Sequence, residues 1–159
     1  MRPLCKEVQV CDRPHGEKGI DHGAEQRLII APVVTGKQVL DDVLARVPAG
    51  RRGDLVLFQN GMLEPWLAAN GLSLGGGGTQ VTQVLAYFAV AKLGEAPTDG
   101  LTEEDPAGLT AATGPWAEEA AARLRAQGLS CKVLDAPAFR GEMFLKLIWI
   151  SSVMLVGAS

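Results

Sequence analysis

The fold of this chain is constrained above all by three consecutive segments: an apolar run, a stretch of helical periodicity and a second apolar run. Leu28 to Val34 is apolar throughout, as in a strand that is covered on both faces. Val39 to Val47 repeats apolar residues at helical spacing until Pro48-Ala49-Gly50 ends the pattern. Asp54 to Phe58 then predicts another strand. This order predicts a βαβ unit and therefore a parallel sheet.

The rest of the chain predicts further strands and helices around this unit. They are a helix over 65–70, a glycine-rich hairpin or loop over 71–78, strands over 82–90, 109–113 and 131–134, and helices from Pro115 and from Asp135. The four glycines Gly75 to Gly78 lack the Gly-Lys-Ser/Thr of a phosphate loop, so we predict a turn there. The fold class is α/β with additional mixed strands.

The helix after Gly114 has the clearest boundary signals. Pro115 suits the first helical position, and Gly128 suits the left-handed stop. Its predicted buried stripe consists of Ala117, Ala120, Ala121 and Leu124.

The last segment, from Phe144 to Ala158, is almost wholly apolar and contains Lys146. It is shorter than the roughly 20 residues of a spanning helix, so we predict a buried helix and no membrane partner. A buried ammonium needs a reason, because burying an unpaired charge is costly. Three explanations are open: Lys146 reaches water, it pairs with Glu142, or it lines a cleft as a proton donor.

Charge and cysteine content limit the partners and the compartment. The net charge is −3 and no long basic run occurs, so nucleic acid is excluded as an expected partner. Cys5, Cys11 and Cys131 are odd in number, which favours free thiols and a reducing compartment. Charged residues near Met1 argue against secretion. We therefore expect an intracellular protein of the cytoplasm or a plastid.

Polar residues at two strand ends are candidate ligand-binding groups. Gln59-Asn60-Gly61 directly follows a predicted strand, where ligands bind in open parallel sheets, although Asn-Gly is equally typical of a turn. Thr35-Gly36-Lys37-Gln38 follows the preceding strand and suits either an anion or a solvated helix start. A cluster of Cys5, Cys11, His15 and His22 matches no familiar zinc spacing, so we predict no metal site.

Taken in order, these elements resemble those of ketopantoate reductases from about Leu28 to Gly157. The matching segments are Val34-Thr35, Lys37-Gln38, Gln59-Asn60-Gly61, Gly114-Pro115, Gly128-Leu129-Ser130 and Lys146-Leu147. In that family a Rossmann domain adjoins a 6-phosphogluconate-dehydrogenase-like helical domain, and NADPH delivers hydride to a 2-keto acid between them. The resemblance implies an incomplete Rossmann-like sheet with a βαβ unit, additional mixed strands and a C-terminal helix. It implies a partial Rossmann-like domain over 27–136 and the first helix of a missing helical domain over 137–159. Residues 1–26 show no sustained periodicity, so we predict a poorly ordered lead-in there, in which Val8-Gln9-Val10 suits a short strand.

The resemblance also implies roles for individual residues. Lys146 matches the lysine that protonates the nascent alkoxide, as general acid and electrostatic clamp. Asn60 matches the amide near cofactor and substrate, and it is the second catalytic candidate. The residues assigned to cofactor binding are Thr35, Lys37, Gln38, Asn60 and Gly61.

The chain departs from the family pattern at several positions. No G-x-G-x-x-G occurs upstream of Leu28, and Ile150 stands where the family usually carries an asparagine. The family's distal glutamate and serine have no counterparts. We expect an NADPH-dependent 2-keto acid reductase fragment, incomplete at both ends and inactive alone; the alternative is a non-catalytic Rossmann-like binding or interaction module. The C-terminal helix is expected to contact a second copy, forming a homodimer, or a missing domain.

Overall fold

The computed structural model describes residues 9–11, 28–31, 37–89 and 95–157. The strands are β1 (Gln9–Cys11), β2 (Leu28–Ala31), β3 (Leu55–Phe58), β4 (Leu72–Ser73), β5 (Thr79–Gln80), β6 (Thr82–Leu85), β7 (Phe88–Ala89), β8 (Thr98–Asp99), β9 (Ala111–Thr113) and β10 (Lys132–Val133). The helices are α1 (Lys37–Arg46), α2 (Glu64–Ala69), α3 (Ala117–Arg125) and α4 (Ala136–Val156), with a 3-10 helix over Ala49–Asp54.

A mixed sheet with the strand order β1-β2-β3-β6-β9-β10 forms the centre of the described fold. The three strands β2, β3 and β6 run parallel, and α1 connects the first two. Strands β9 and β10 are parallel to each other but antiparallel to β6, and β1 is antiparallel to β2. The α/β class, the βαβ unit and the additional mixed strands are therefore confirmed.

Alternation along β3 distributes the core over both faces of the sheet. Leu55 and Leu57 pack with the side chains of α1 and α2, whereas Val56 packs with α3. The buried stripe predicted for α3 is confirmed, because Ala117, Ala120, Ala121 and Leu124 are all buried. Fully burying a side chain such as leucine stabilises the fold by about 1.5–3 kcal/mol. Both faces of β3 therefore contribute to stability.

The turn before α3 lies directly against β6. Gly114 has φ +107, and a Cβ there would lie 2.3 Å from the carbonyl oxygen of Val81. The backbone N–H of Trp116 donates to Thr82 Oγ1 at 2.8 Å. Pro115 belongs to this turn, so the prediction that it occupies the first helical position is wrong: the close approach to β6 delays the helix until Ala117. Gly128 ends the segment with φ +78, as predicted.

The glycine-rich segment is a loop between two short parallel strands. Strand β4 pairs with β5 in parallel, with Leu72 opposite Thr79, so the hairpin alternative is wrong. Gly78 has φ +102, and a Cβ there would lie 2.7 Å from the oxygen of Gly71. Only a residue without a Cβ allows this approach.

Helix α4 packs on the sheet with its first half only. Asp135 caps it by accepting a hydrogen bond from the N–H of Ala138 at 2.8 Å, and Phe139 and Met143 are buried against Leu85 on β6. The prediction of a buried helix holds for this half only, because the outer face and the last turns extend beyond the sheet. The exposed large apolar residues of α4 are Phe144, Leu145, Ile148, Trp149, Val153, Met154, Leu155 and Val156.

The remaining predictions concern the segment 1–26 and the membrane. Strand β1 lies within the segment 1–26 that was expected to be a poorly ordered lead-in; the other residues of that segment lie outside the described ones. Among the helices that the structure describes, none is long and apolar enough to cross a membrane.

Candidate functional site

The candidate site lies where two parallel strands end next to each other. Asn60 follows β3, and Ala86 and Tyr87 follow β6. Because β3 and β6 are parallel neighbours, their carboxyl ends share one edge of the sheet. This is the edge at which open α/β sheets bind ligands.

Helix α4 adds Lys146 to this edge. A cleft of about 220 Å³ is lined by Asn60, Gly61, Leu85, Met143, Lys146, Leu147 and Ile150. The resemblance requires Asn60 and Lys146 to face one cleft, and this expectation of shared location is confirmed. Asn60 is exposed, whereas Lys146 is only 7% exposed.

Lys146 Nζ contacts the end of β6 and, among the residues that the structure describes, no carboxylate. It donates a hydrogen bond to the carbonyl oxygen of Ala86 and lies 4.3 Å from the centroid of the Tyr87 ring. Glu142 instead accepts a hydrogen bond from Lys132 Nζ at 3.2 Å. Because Lys146 is buried, the explanation that it reaches water is excluded. Because Glu142 pairs with Lys132, the explanation that it pairs with Lys146 is excluded as well. The remaining explanation is that Lys146 lines the cleft.

Burial lowers the pKa of Lys146 below its ordinary value, because the ammonium loses hydration on entering the fold. In the described part of the chain no carboxylate forms an ion pair that would offset this loss. The face of the Tyr87 ring compensates in part through a cation–π contact. The result is an ammonium that releases its proton more readily than an exposed lysine does.

Tyr87 is a site residue that the sequence analysis did not single out. Burial raises the pKa of its phenol to about 12, and the charge of Glu142 raises it further in the same direction. Its backbone N–H donates to Thr110 Oγ1 at 3.0 Å, which holds it beside β9. No sequence signal marked it, because the predicted strand over 82–90 includes Tyr87, whereas β6 ends at Leu85.

The segment after β3 is held in place by β6. Gln83, which is fully buried on β6, donates from Nε2 to the carbonyl oxygen of Gln59 at 3.3 Å. Gly61 then turns the chain with φ +89. The amide of Asn60 is thus presented at the mouth of the cleft by a turn that is attached to the sheet. The turn interpretation of Asn-Gly is therefore confirmed, and the site interpretation stays a prediction.

The other predicted site residues are described in part or not at all. Lys37 and Gln38 begin α1, but their side chains lie outside the described ones, as does Thr35. Of the candidate metal cluster only the backbone of Cys11 is described, in β1; Cys5, His15 and His22 lie outside. Within the described ranges, no group of His, Cys, Asp and Glu could hold a metal ion.

The described part of this edge lacks the glycine-rich turn that a dinucleotide needs. A pyrophosphate needs closely spaced glycines in a turn between a strand and a helix. At this edge the described strand–turn–helix is β3 to α2, and its turn carries Gly61 alone. The described residues of this edge therefore provide a cation and an amide, but no turn with closely spaced glycines.

Comparisons of the chain with protein-family models, with curated proteins and with solved structures found no match.

Proposed function

We propose that this chain carries the substrate-binding and proton-donating half of a 2-keto acid reductase site of the ketopantoate-reductase-like kind. The observation that supports the proposal is the position of Lys146: a buried ammonium with no carboxylate partner among the described residues lies in a cleft together with Asn60. Buried cations at the ends of parallel strands are expensive to maintain, and such perturbed groups concentrate at functional sites.

In this proposal the side chains act on the keto acid in a defined way. The Lys146 ammonium donates a hydrogen bond to the keto oxygen and passes it a proton as the alkoxide forms. Asn60 donates from its amide to the substrate carboxylate. NADPH, by resemblance, would supply the hydride; Thr35, Lys37 and Gln38 stay proposed cofactor residues. A reducing compartment, the cytoplasm or a plastid, suits the free buried thiol of Cys131.

Calorimetric titration of the full chain with a 2-keto acid tests the substrate half. We expect Lys146→Met to weaken binding by at least about tenfold, because the neutral thioether can neither donate a hydrogen bond nor attract a carboxylate. The matched control is Arg123→Gln, which removes a cation on α3 that pairs with Glu119. Equal affinity in the native chain and in Lys146→Met would reject the proposal.

A fluorescence titration with NADPH tests the cofactor half separately. Saturable binding in the micromolar range would support it, whereas no signal up to millimolar NADPH would remove the cofactor from the proposal for this chain.

The exposed face of α4 favours a second function, that of a non-catalytic interaction module. Eight large apolar side chains of this helix are 40–86% exposed, and pairs at 144/145, 148/149 and 155/156 recur at the spacing that places them on one side. Monomers rarely expose apolar patches beyond about 300–600 Å². An uncharged helical face suits another uncharged helix, so the partner we propose is α4 of a second copy in a homodimer.

A further inference from the structure

The wall of the cleft has two chemically different parts. Two of its lining side chains, those of Lys146 and Asn60, are polar. The other lining side chains, those of Leu85, Met143, Leu147 and Ile150, are hydrocarbon or thioether groups. Among the described residues, these four side chains offer no group that donates a hydrogen bond or accepts a strong one.

A ligand of this cleft needs polar groups for the two polar side chains and hydrocarbon for the apolar ones. The ammonium and the amide suit a carboxylate and a keto oxygen. A hydrocarbon tail gains by leaving water, whereas a hydroxyl group on that tail loses its hydrogen bonds to water and finds no partner. A site without a polar partner for a hydroxyl discriminates against it by desolvation.

The cleft has room for a tail of a few carbon atoms. Its volume of about 220 Å³ is below the roughly 300–1,000 Å³ of clefts that hold drug-sized ligands. A branched tail fills such a volume better than a methyl group, and a single methylene in an apolar site changes selectivity by roughly 10–200-fold.

We propose that this cleft selects 2-keto acids with a short, branched, hydroxyl-free hydrocarbon tail. The proposal rests on the proposed function and names the substrate class of the same site. Ile150 determines the selectivity for the tail, because it lines the cleft one helical turn after Lys146.

Calorimetric titration of the full chain with four small probes separates the contributions of the keto oxygen, the branched tail and the hydroxyl group to binding. Trimethylpyruvate has the keto group and the branched tail. Ketopantoate differs from it only by one hydroxyl on that tail, pyruvate lacks the branches, and tert-butylacetate lacks the keto oxygen. We expect trimethylpyruvate to bind at least about tenfold more tightly than each of the other three.

A substitution in the wall of the cleft tests whether Ile150 determines the selectivity against a hydroxyl group. Ile150→Asn supplies a partner for a hydroxyl, so the ratio of ketopantoate to trimethylpyruvate affinity should rise at least about tenfold. Ser151→Asn is the matched control, since Ser151 is an exposed neighbour on α4 outside the cleft lining, and it should leave the ratio unchanged. Circular dichroism of both variants checks that the fold is retained.

The outcomes distinguish the two proposals. Equal or tighter binding of ketopantoate by the native chain, or an unchanged ratio in folded Ile150→Asn, overturns the selectivity for the tail and leaves the proposed function standing. If tert-butylacetate binds as tightly as trimethylpyruvate, the proposed function fails, because the keto oxygen contributes nothing. If no keto acid binds, both proposals fail.

Discussion

Lys146 Nζ lies 4.3 Å from the centroid of the Tyr87 ring, where α4 crosses the end of β6. The ring and the carbonyl oxygen of Ala86 are the partners that hold the ammonium in a largely apolar surrounding. The contact explains how a cation is accommodated without a carboxylate from the described residues. It also leaves the charge available to a ligand, because no anion of the described part of the chain neutralises it.

Replacing Lys146 by methionine should change how stability depends on pH. The folded pKa of Lys146 lies below its unfolded value of 10.5, so the unfolded chain binds more protons between these two pKa values, and native stability rises with pH there. The penalty of the buried ammonium is full below the folded pKa. We expect Lys146→Met to be more stable than the native chain at neutral pH, by on the order of 1 kcal/mol, with the difference shrinking towards pH 10.5.

Urea unfolding of both proteins at a series of pH values measures this difference. A stability difference that does not vary with pH would contradict the lowered pKa of Lys146. Tyr87 is common to both proteins, so its own titration cancels in the comparison.

The ion pairs of Lys132 with Asp105 and Glu142 should make stability depend on pH in the opposite direction. Burial opposes the charge of Lys132, but hydrogen bonds and charges of Asp105 and Glu142 outweigh it, so its pKa is raised above 10.5. Its stabilising contribution is therefore full below pH 10.5 and is lost as pH rises through the folded pKa. We expect Glu142→Gln to lower the free energy of unfolding by about 0.5–1.5 kcal/mol at neutral pH. Glu104→Gln, an exposed carboxylate on the same loop as Asp105, is the control and should have almost no effect.

Tyr87 should make the native chain lose stability in strong alkali. Its folded pKa of about 12 lies above the ordinary value of 10.0, so the unfolded chain releases the phenol proton first. Stability is full below pH 10.0 and falls as pH rises towards about 12. Tyr87→Phe keeps the ring face and removes the phenol, so this variant should lose less stability over that range. Parallel alkaline curves in thermal unfolding would refute the burial of the hydroxyl.

The exposed face of α4 should drive self-association. Ile148→Lys places a charge in the middle of that face, and we expect it to shift the chain towards the monomer, because burying an unpaired charge in an interface is unfavourable. Sedimentation velocity of the native chain and of the variant at several concentrations measures the shift. Ala122→Lys, on the exposed side of α3, is the control. A native chain that stays monomeric at the highest concentration would exclude the homodimer.

Cys131 should react slowly with thiol reagents in the native state. Burial raises the pKa of its thiol to about 11; the charge of Arg125 lowers it, and those of Asp99 and Glu118 raise it. Because the thiolate is the reactive form, we expect at least about a hundredfold slower reaction than in urea at the same pH. A chain with Cys5→Ser and Cys11→Ser isolates this thiol for absorbance measurements with an aromatic disulfide. Equal rates in both solvents would show that the thiol is accessible.

Local patterns in the sequence determined much of the fold. The alternation of apolar runs and helical spacing predicted the βαβ unit, and alanines at 117, 120 and 121 predicted the buried face of α3. These patterns suffice because burial on a strand or helix follows a short, regular period. The end of β3 was likewise predictable as the position of Asn60.

Contacts between distant segments decided the rest. That Glu142 pairs with Lys132 rather than with Lys146 depends on where β10 lies beside α4, and the role of Tyr87 depends on how α4 crosses β6. The exposure of Ile148 and Trp149 depends on how far the sheet extends beneath the helix, because an apolar side chain is buried only where another element covers it. Most elements and the positions of the reactive groups thus follow from local patterns. Which of these groups meet depends on the packing of distant segments, because contacts between elements do not follow a local period.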